Sequence, residues 1–104
     1  MAELDPHLHS PVRLRLMTTL TAVAEAEFST IRGALGVSDS VLSKHISGLA
    51  DVDYVRSRKG VHGGRRTTWI ALTANGRRAL SAHVTALREL IAAVPVDLET
   101  SPHR

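Results

Sequence analysis

The sequence predicts a mainly α fold with a small β-hairpin, and three observations carry that expectation. Val37 to Val55 begins with Ser38, a residue suited to capping a helix, and then repeats Leu42, Ile46 and Leu49 at helical spacing. Arg56 to Arg66 is glycine-rich and carries Arg56, Arg58, Lys59, His62, Arg65 and Arg66 without an acid, and β-branched and aromatic TTWIAL follows it. From Thr73 onward, Leu80, Val84, Leu87, Ile91 and Val94 recur at alternating steps of four and three, an a/d seam over two heptads. With two further helices before Val37, the order is helix, helix, helix, hairpin, long helix. That is a winged helix-turn-helix with a long C-terminal dimerisation helix.

In chain order, residues 1–9 are expected to form a flexible N-terminal arm, and residues 10–94 the domain itself. Ser10-Pro11 is a helix start: serine caps, and proline is well placed at the first helical position. Val12, Leu16, Leu20 and Val23 carry that helix to about Ala24, and Glu25 to Glu27 break its pattern. Ser29 opens a short second helix with Ile31 and Leu35 inward, Phe28 is placed to staple its start, and Gly36 ends it. Only Gly36 and Val37 separate it from Ser38, so the two helices make a helix-turn-helix. The third helix is apolar behind, and its outer face holds Ser40, Ser43, Lys44 and Ser47. Asp53 stands where the chain needs a left-handed residue to leave that helix. Val55 to Lys59 and Thr67 to Leu72 are the expected strands, joined by a turn over Gly60 to Gly64. Thr73 caps the final helix, 73–94, which Pro95 ends, and residues 95–104 are expected to be a frayed tail.

Composition narrows the function. The chain has 104 residues, enough for one domain with a modest core, and 43% of them are hydrophobic, which argues against disorder. Only Phe28, Tyr54 and Trp69 are aromatic, so the core must be aliphatic. The absence of cysteine excludes disulfides and thiolate metal sites. The N-terminus MAELDPHLHS lacks the pattern of a signal peptide, and no apolar run approaches a membrane span, so a cytoplasmic protein is expected. Net charge is only +3, and its placement matters more: the cations of 56–66 form a block, while the acids cluster elsewhere.

These motifs resemble the compact winged-helix transcriptional regulators related to MarR and ArsR repressors. The resemblance rests on HSPVRLRLMTTL, on FSTIRGALGVSDSVLSKHISGLADVDYV and on RKGVHGGRRTTWIALTANGRRAL, and with the final helix it spans about residues 5 to 93. It implies a homodimer with two recognition helices, 38–49, in adjacent major grooves of double-stranded DNA and wings, 56–66, on flanking backbone or minor groove. By matching position, Ser38, Ser40, Val41, Ser43, Lys44 and Ser47 would face DNA, with Arg65 and Arg66 on the wing. The chain departs from the pattern at Asp53, where the family usually has glycine, and at Ala74, where it often has proline or aspartate.

The chemistry follows from these residue types. Arg58, Lys59, Arg65 and Arg66 can neutralise phosphates and release counterions, and strand alternation can turn Arg56 away. Lys44 can donate to guanine, the serines can donate or accept, and Val41 can touch a thymine methyl. One cation and small hydroxyls make a thin readout, so moderate specificity is expected, helped by DNA shape and dimer symmetry. The expected dimer seam is Leu80, Val84, Leu87, Ile91 and Val94. Against these stand plainer readings: a solvated serine face, a solubilising loop at 56–66, and a seam packed on its own chain. A protein–protein interaction module without DNA binding is the alternative function, but it has no need of an acid-free cationic wing.

No metal site or cofactor is expected. His7, His9, His45, His62, His83 and His103 are scattered, and the final helix offers only His83 and Glu89, six apart and on different faces. A small-molecule effector stays open but is not indicated: relatives can bind ligands between dimer helices and reading head, but this chain has few aromatics to line a pocket. Catalysis is not expected either. There is no phosphate loop opening a helix, Gly60 to Gly64 lacks a following Lys-Ser/Thr, and no spacing converges Ser, His and Asp.

Overall fold

Local capping chemistry sets most of the helix starts. A computed structural model of the chain describes residues 2–95. Helix α1, Pro11–Leu20, begins where the Ser10 hydroxyl accepts the Arg13 N–H, with proline in the first turn. Helix α3, Asp39–Asp51, begins where Ser38 accepts from the Val41 N–H at 3.2 Å. Helix α4, Ala74–Ala92, begins where Thr73 accepts from the Gly76 N–H at 2.9 Å. Helix α2, Phe28–Leu35, is different. It starts one residue before the expected Ser29, its cap residue is Glu27, and no side chain caps it. It ends as expected on Gly36, whose φ of 66° is left-handed. The guanidinium of Arg15 donates to the Leu35 and Ala34 carbonyls, which ties that end to α1.

The β part is larger than a hairpin. Strand β1, Ala26–Glu27, pairs with β3, Arg65–Leu72, which pairs with β2, Val55–His62, giving an antiparallel sheet in the order β1-β3-β2. Glu25 to Glu27, which break the helical pattern, thus lead into and form a third strand. The hairpin strands run through Gly60, Val61 and His62 on one side and from Arg65 on the other. The turn is therefore only Gly63-Gly64, with φ of 60° and 77°. Positive φ at both central residues matches the twist of the flanking strands.

Three expectations are corrected. Helix α1 stops at Leu20 rather than Ala24, and Val23 lies outside it, 40% exposed, while Met17 is fully buried. The hydroxyls of Thr18 and Thr21 donate back to the Leu14 and Thr18 carbonyls as the chain turns toward β1. The arm expected over 1–9 is, over the described residues 2–9, anchored to the domain instead. Pro6–Leu8 forms a 3-10 turn capped by Asp5, Leu8 is 1% exposed, and the Asp5 N–H donates to His83 Nδ1 of α4 at 2.8 Å. Burial of Leu8 and the bonds of Asp5 to His83 and to the Tyr54 hydroxyl together anchor this segment. Helix α4 ends at Ala92, so Val94 lies beyond it. Of the expected tail 95–104, all but Pro95 lies outside the described residues.

The core is one aliphatic cluster. Leu16, Met17 and Leu20 of α1, Ile31 and Leu35 of α2, and Leu42, Ile46 and Leu49 of α3 meet Val55, Ile70 and Leu72 of the sheet and Leu80 of α4. Asp53 leaves α3 with φ of 62°, the left-handed conformation expected there. The next residues dock on the start of α4. The Thr73 hydroxyl donates to the Asp53 carbonyl at 2.5 Å, and the Thr73 N–H donates to the Tyr54 carbonyl at 3.1 Å. Gly76 is buried against that same carbonyl, and a Cβ there would overlap the Tyr54 backbone. Gly76→Ala is therefore expected to lower the unfolding free energy by about 1–3 kcal/mol, read from urea denaturation. A variant as stable as the parent would show that α4 does not dock on Tyr54.

Candidate nucleic-acid interface

The outer face of α3 is built by its period. Leu42, Ile46 and Leu49 are buried, so Ser40, Val41, Ser43, Lys44 and Ser47 are left exposed, as is Ser38 at the cap. The Ser38 and Ser40 hydroxyls lie 3.3 Å apart. Val41 is 39% exposed, an apolar spot among hydroxyls. Asp39, in the first turn, is paired with Arg32 of α2 at 2.6 Å. Asp51 is exposed at the far end of the helix, and Asp53 just beyond it.

The wing cations divide by strand alternation. Val55, Ile70 and Leu72 point into the core, so Ser57, Lys59 and Val61 of β2 and Arg66 and Thr68 of β3 share that face. Arg56, Arg58 and His62 lie on the other face, with Trp69 opposite Arg58 and Arg65 opposite His62. The four cations Arg58, Lys59, Arg65 and Arg66 thus split into two pairs, one on each face. Lys59 donates to the Thr68 hydroxyl at 3.1 Å, and Arg65 and Arg66 are exposed beside the turn.

Arg58 is held differently from the others. It forms a forked ion pair with Glu25, one bond of which, from Nε to Oε2, is 2.9 Å long. That guanidinium holds the Glu25 carboxyl below the usual carboxylate range, chiefly through the hydrogen bond, and is itself shifted upward. The Arg58 guanidinium carbon also lies 5.5 Å from the centre of the Trp69 ring. His62 stacks on Trp69 with ring centres 5.7 Å apart and planes 6° from parallel, and its Nδ1 lies 2.8 Å from a Glu27 oxygen. Sequence reasoning missed Glu25, Glu27 and Trp69. A turn placed on Gly63-Gly64 would have put Trp69 opposite Arg58, but nothing local announces the pairing of Arg58 with a carboxylate 33 residues away.

Between the wing and the start of α2 lies a cleft of about 530 Å³ lined by Ser29, Arg65, Arg66, Thr67 and Thr68 among others. Along α4, the expected seam divides too. Leu80 is buried in the chain's own core and Val84 packs against it, whereas Ile91 is 61% exposed. Leu90 and Val94 are also exposed, so the apolar surface gathers at the far end of that helix. Among the described residues, no helix is long and apolar enough to cross a membrane, and no three His, Cys, Asp or Glu side chains gather as metal ligands.

Comparison with known proteins gives a consistent picture. A family model described as a winged helix DNA-binding domain matches residues 12–91. An uncharacterised protein from Methanocaldococcus jannaschii is 28% identical over 82 residues, spanning 79% of this chain and 89% of that protein. A transcriptional regulator homologue from Pyrococcus horikoshii superposes with a TM-score of 0.77 at 29% identity, over 83% of this chain and 85% of its own. The PcaV transcriptional regulator from Streptomyces coelicolor, solved with its natural ligand, superposes with a TM-score of 0.71 over 92% of this chain and 70% of its own. At 18% identity that likeness is one of fold.

The Glu25–Arg58 pair gives the interface a measurable signature. Glu25→Gln frees Arg58 on an exposed face, so binding to random-sequence duplex DNA is expected to tighten at low salt and to steepen in salt dependence by about one counterion. Fluorescence anisotropy across a salt series reads both, and an unchanged slope would show that Arg58 does not reach phosphate.

Proposed function

The chain belongs to the winged helix DNA-binding domain family, and from that premise we propose that it acts as a homodimeric repressor related to the MarR regulators. The observation that carries this reading is the exposed small-polar face of α3 together with the exposed Arg65 and Arg66 at the wing tip. In the proposed complex α3 lies in the major groove. Ser38 and Ser40 sit at its N-terminal end, where the helix dipole favours phosphate, and Val41, Ser43, Lys44 and Ser47 reach base edges or backbone. Arg65 and Arg66 take the flanking backbone or minor groove, with Lys59 behind them on the core-side face. Arg58 joins only after exchanging Glu25 for phosphate.

Two copies associate through the far end of α4, where Leu90, Ile91 and Val94 stand exposed beside Leu87. Dimer symmetry then asks for a two-fold operator with half-sites separated by whole helical turns. Bound across a promoter, such a dimer occludes polymerase.

Selection of genomic fragments by the purified chain at two salt concentrations tests the function directly. A two-fold symmetric motif is expected, and no enrichment at low salt would favour a protein-interaction module instead. On the selected site, Lys44→Ala is expected to blunt sequence preference. The double substitution Arg65→Ala/Arg66→Ala should weaken binding to all sequences and lower the salt slope by about two. Ile91→Glu places a charge in the proposed seam. It is expected to shift the chain to monomer in sedimentation equilibrium and to weaken operator binding, and a persistent dimer would place the interface elsewhere.

A further inference from the structure

A glycine in the middle of the recognition helix needs a reason. Gly48 lies within α3, where glycine costs about 1 kcal/mol relative to alanine. Arg13 of α1 lies over it. A Cβ at position 48 would come within 2.9 Å of its guanidinium carbon and 3.2 Å of Nη1, so the planar group rests on the α3 backbone itself. Its Nε–H donates to Nδ1 of His45 at 3.0 Å, and Nη1 donates to the His7 carbonyl at 3.4 Å.

Both acceptors are neutral. His45 must present an unprotonated Nδ1 to receive the bond, which leaves its ring proton on Nε2 as a donor. Burial, followed by the charges of Arg13 and Lys44, pushes the imidazole below its ordinary value, consistent with that state. Ion pairs among the described residues join Arg32 to Asp39 and Arg58 to Glu25, Glu27 lies against His62, and none of these contacts involves Arg13. A partly buried cation fixed in place without a carboxylate keeps its charge unbalanced and several N–H groups unused.

The place matters as much as the charge. Positions 41, 45 and 48 run down one edge of α3, between its buried stripe and its exposed face. The guanidinium, held against His45 and Gly48, therefore sits at the edge of the exposed face and not beneath the core. We propose that Arg13, seated on Gly48 and oriented by His45, is a further DNA-backbone contact, separate from the serine face of α3 and from the wing. The planar fork suits the two free oxygens of a phosphodiester. Because Arg13 is anchored to two helices, it meets the phosphate already ordered, so little side-chain entropy remains to be lost. His45 is a positioning residue in this arrangement. The inference rests on the DNA-binding reading above.

The test is a salt series with the full chain and a random-sequence duplex of about two helical turns, following anisotropy and, separately, the melting temperature. Arg13→Gln keeps much of the shape and removes the charge. It is expected to weaken low-salt binding by about threefold to tenfold and to reduce the slope of log K against log salt by about 0.9, with Arg13→Lys recovering most of the slope. Gly48→Ala is a second variant that displaces the guanidinium without changing net charge. It is expected to weaken binding while α3 remains helical, which also serves if Arg13→Gln fails to fold. An unchanged slope in Arg13→Gln with a lower melting temperature would make the guanidinium a brace between α1 and α3 and overturn the proposal. If the parent chain itself shows no salt-dependent binding, the DNA-binding reading falls, and this site with it; the two failures are told apart by the parent's titration.

Discussion

One dipeptide, Asp53-Tyr54, fixes the relation between helix α3, the hairpin and the last helix. Asp53 turns the chain out of α3 in a left-handed conformation, and its carbonyl is taken by the Thr73 hydroxyl. The Tyr54 carbonyl is taken by the Thr73 N–H and covered by Gly76, while Asn75 donates to the Val52 carbonyl at 3.4 Å. The Tyr54 phenol donates to Asp5, and that bond, with burial, pushes its ionisation up to about 12. One turn of α4 is thereby joined to the exit of α3 by hydrogen bonds that also satisfy polar groups at both helix ends. The first turn of α4 and the exit of α3 are coupled by one backbone and two side-chain-to-backbone bonds, so neither can tilt without breaking several of these bonds at once.

The wing is electrostatically less simple than its sequence. Glu25 and Glu27 reach over from the segment around β1, and each holds a β2 residue that stacks on or lies over Trp69. These contacts cover one face of the hairpin with its own counterions and an aromatic ring. Among the described residues, no carboxylate pairs with the cations at the turn and on the core-side face, which directs positive charge toward the tip. A strand alternates its side chains, so a block of basic residues in the sequence becomes two patches in space, and only part of it can meet one phosphate track.

Signals that act within four residues were legible in the sequence. Ser10, Ser38 and Thr73 cap the helices they were expected to cap, Gly36 and Asp53 take left-handed conformations, and the buried stripe of α3 is the predicted one. Contacts between distant segments were not legible. Strand β1 exists because the sheet has an edge for it, not because Ala26-Glu27 is strand-like, and Leu8 anchors a segment whose polar composition suggested an arm. Gly48 and Gly76 look alike in the sequence, yet each clears space for a partner at least 20 residues away, one a guanidinium and the other a carbonyl. The outward side chains of α3 followed from periodicity, whereas the company kept by Arg13 and Arg58 required the fold.

The last helix divides its labour along its length. Nineteen residues give an α-helix of about 28 Å. Its first half holds Gly76, Leu80 and His83 in buried positions, and its far end carries Leu90 and Ile91 to solvent. A heptad seam spent partly on its own core cannot serve a partner along its whole run, so in the proposed homodimer the contact moves to the distal turns. The distance between two reading heads is then set by the helix itself, and its starting angle by the bonds at Asp53-Tyr54. In the proposed complex, a change at that dipeptide would alter operator spacing without touching a residue proposed to face DNA, because geometry fixed at one end of a rigid lever is read out at the other.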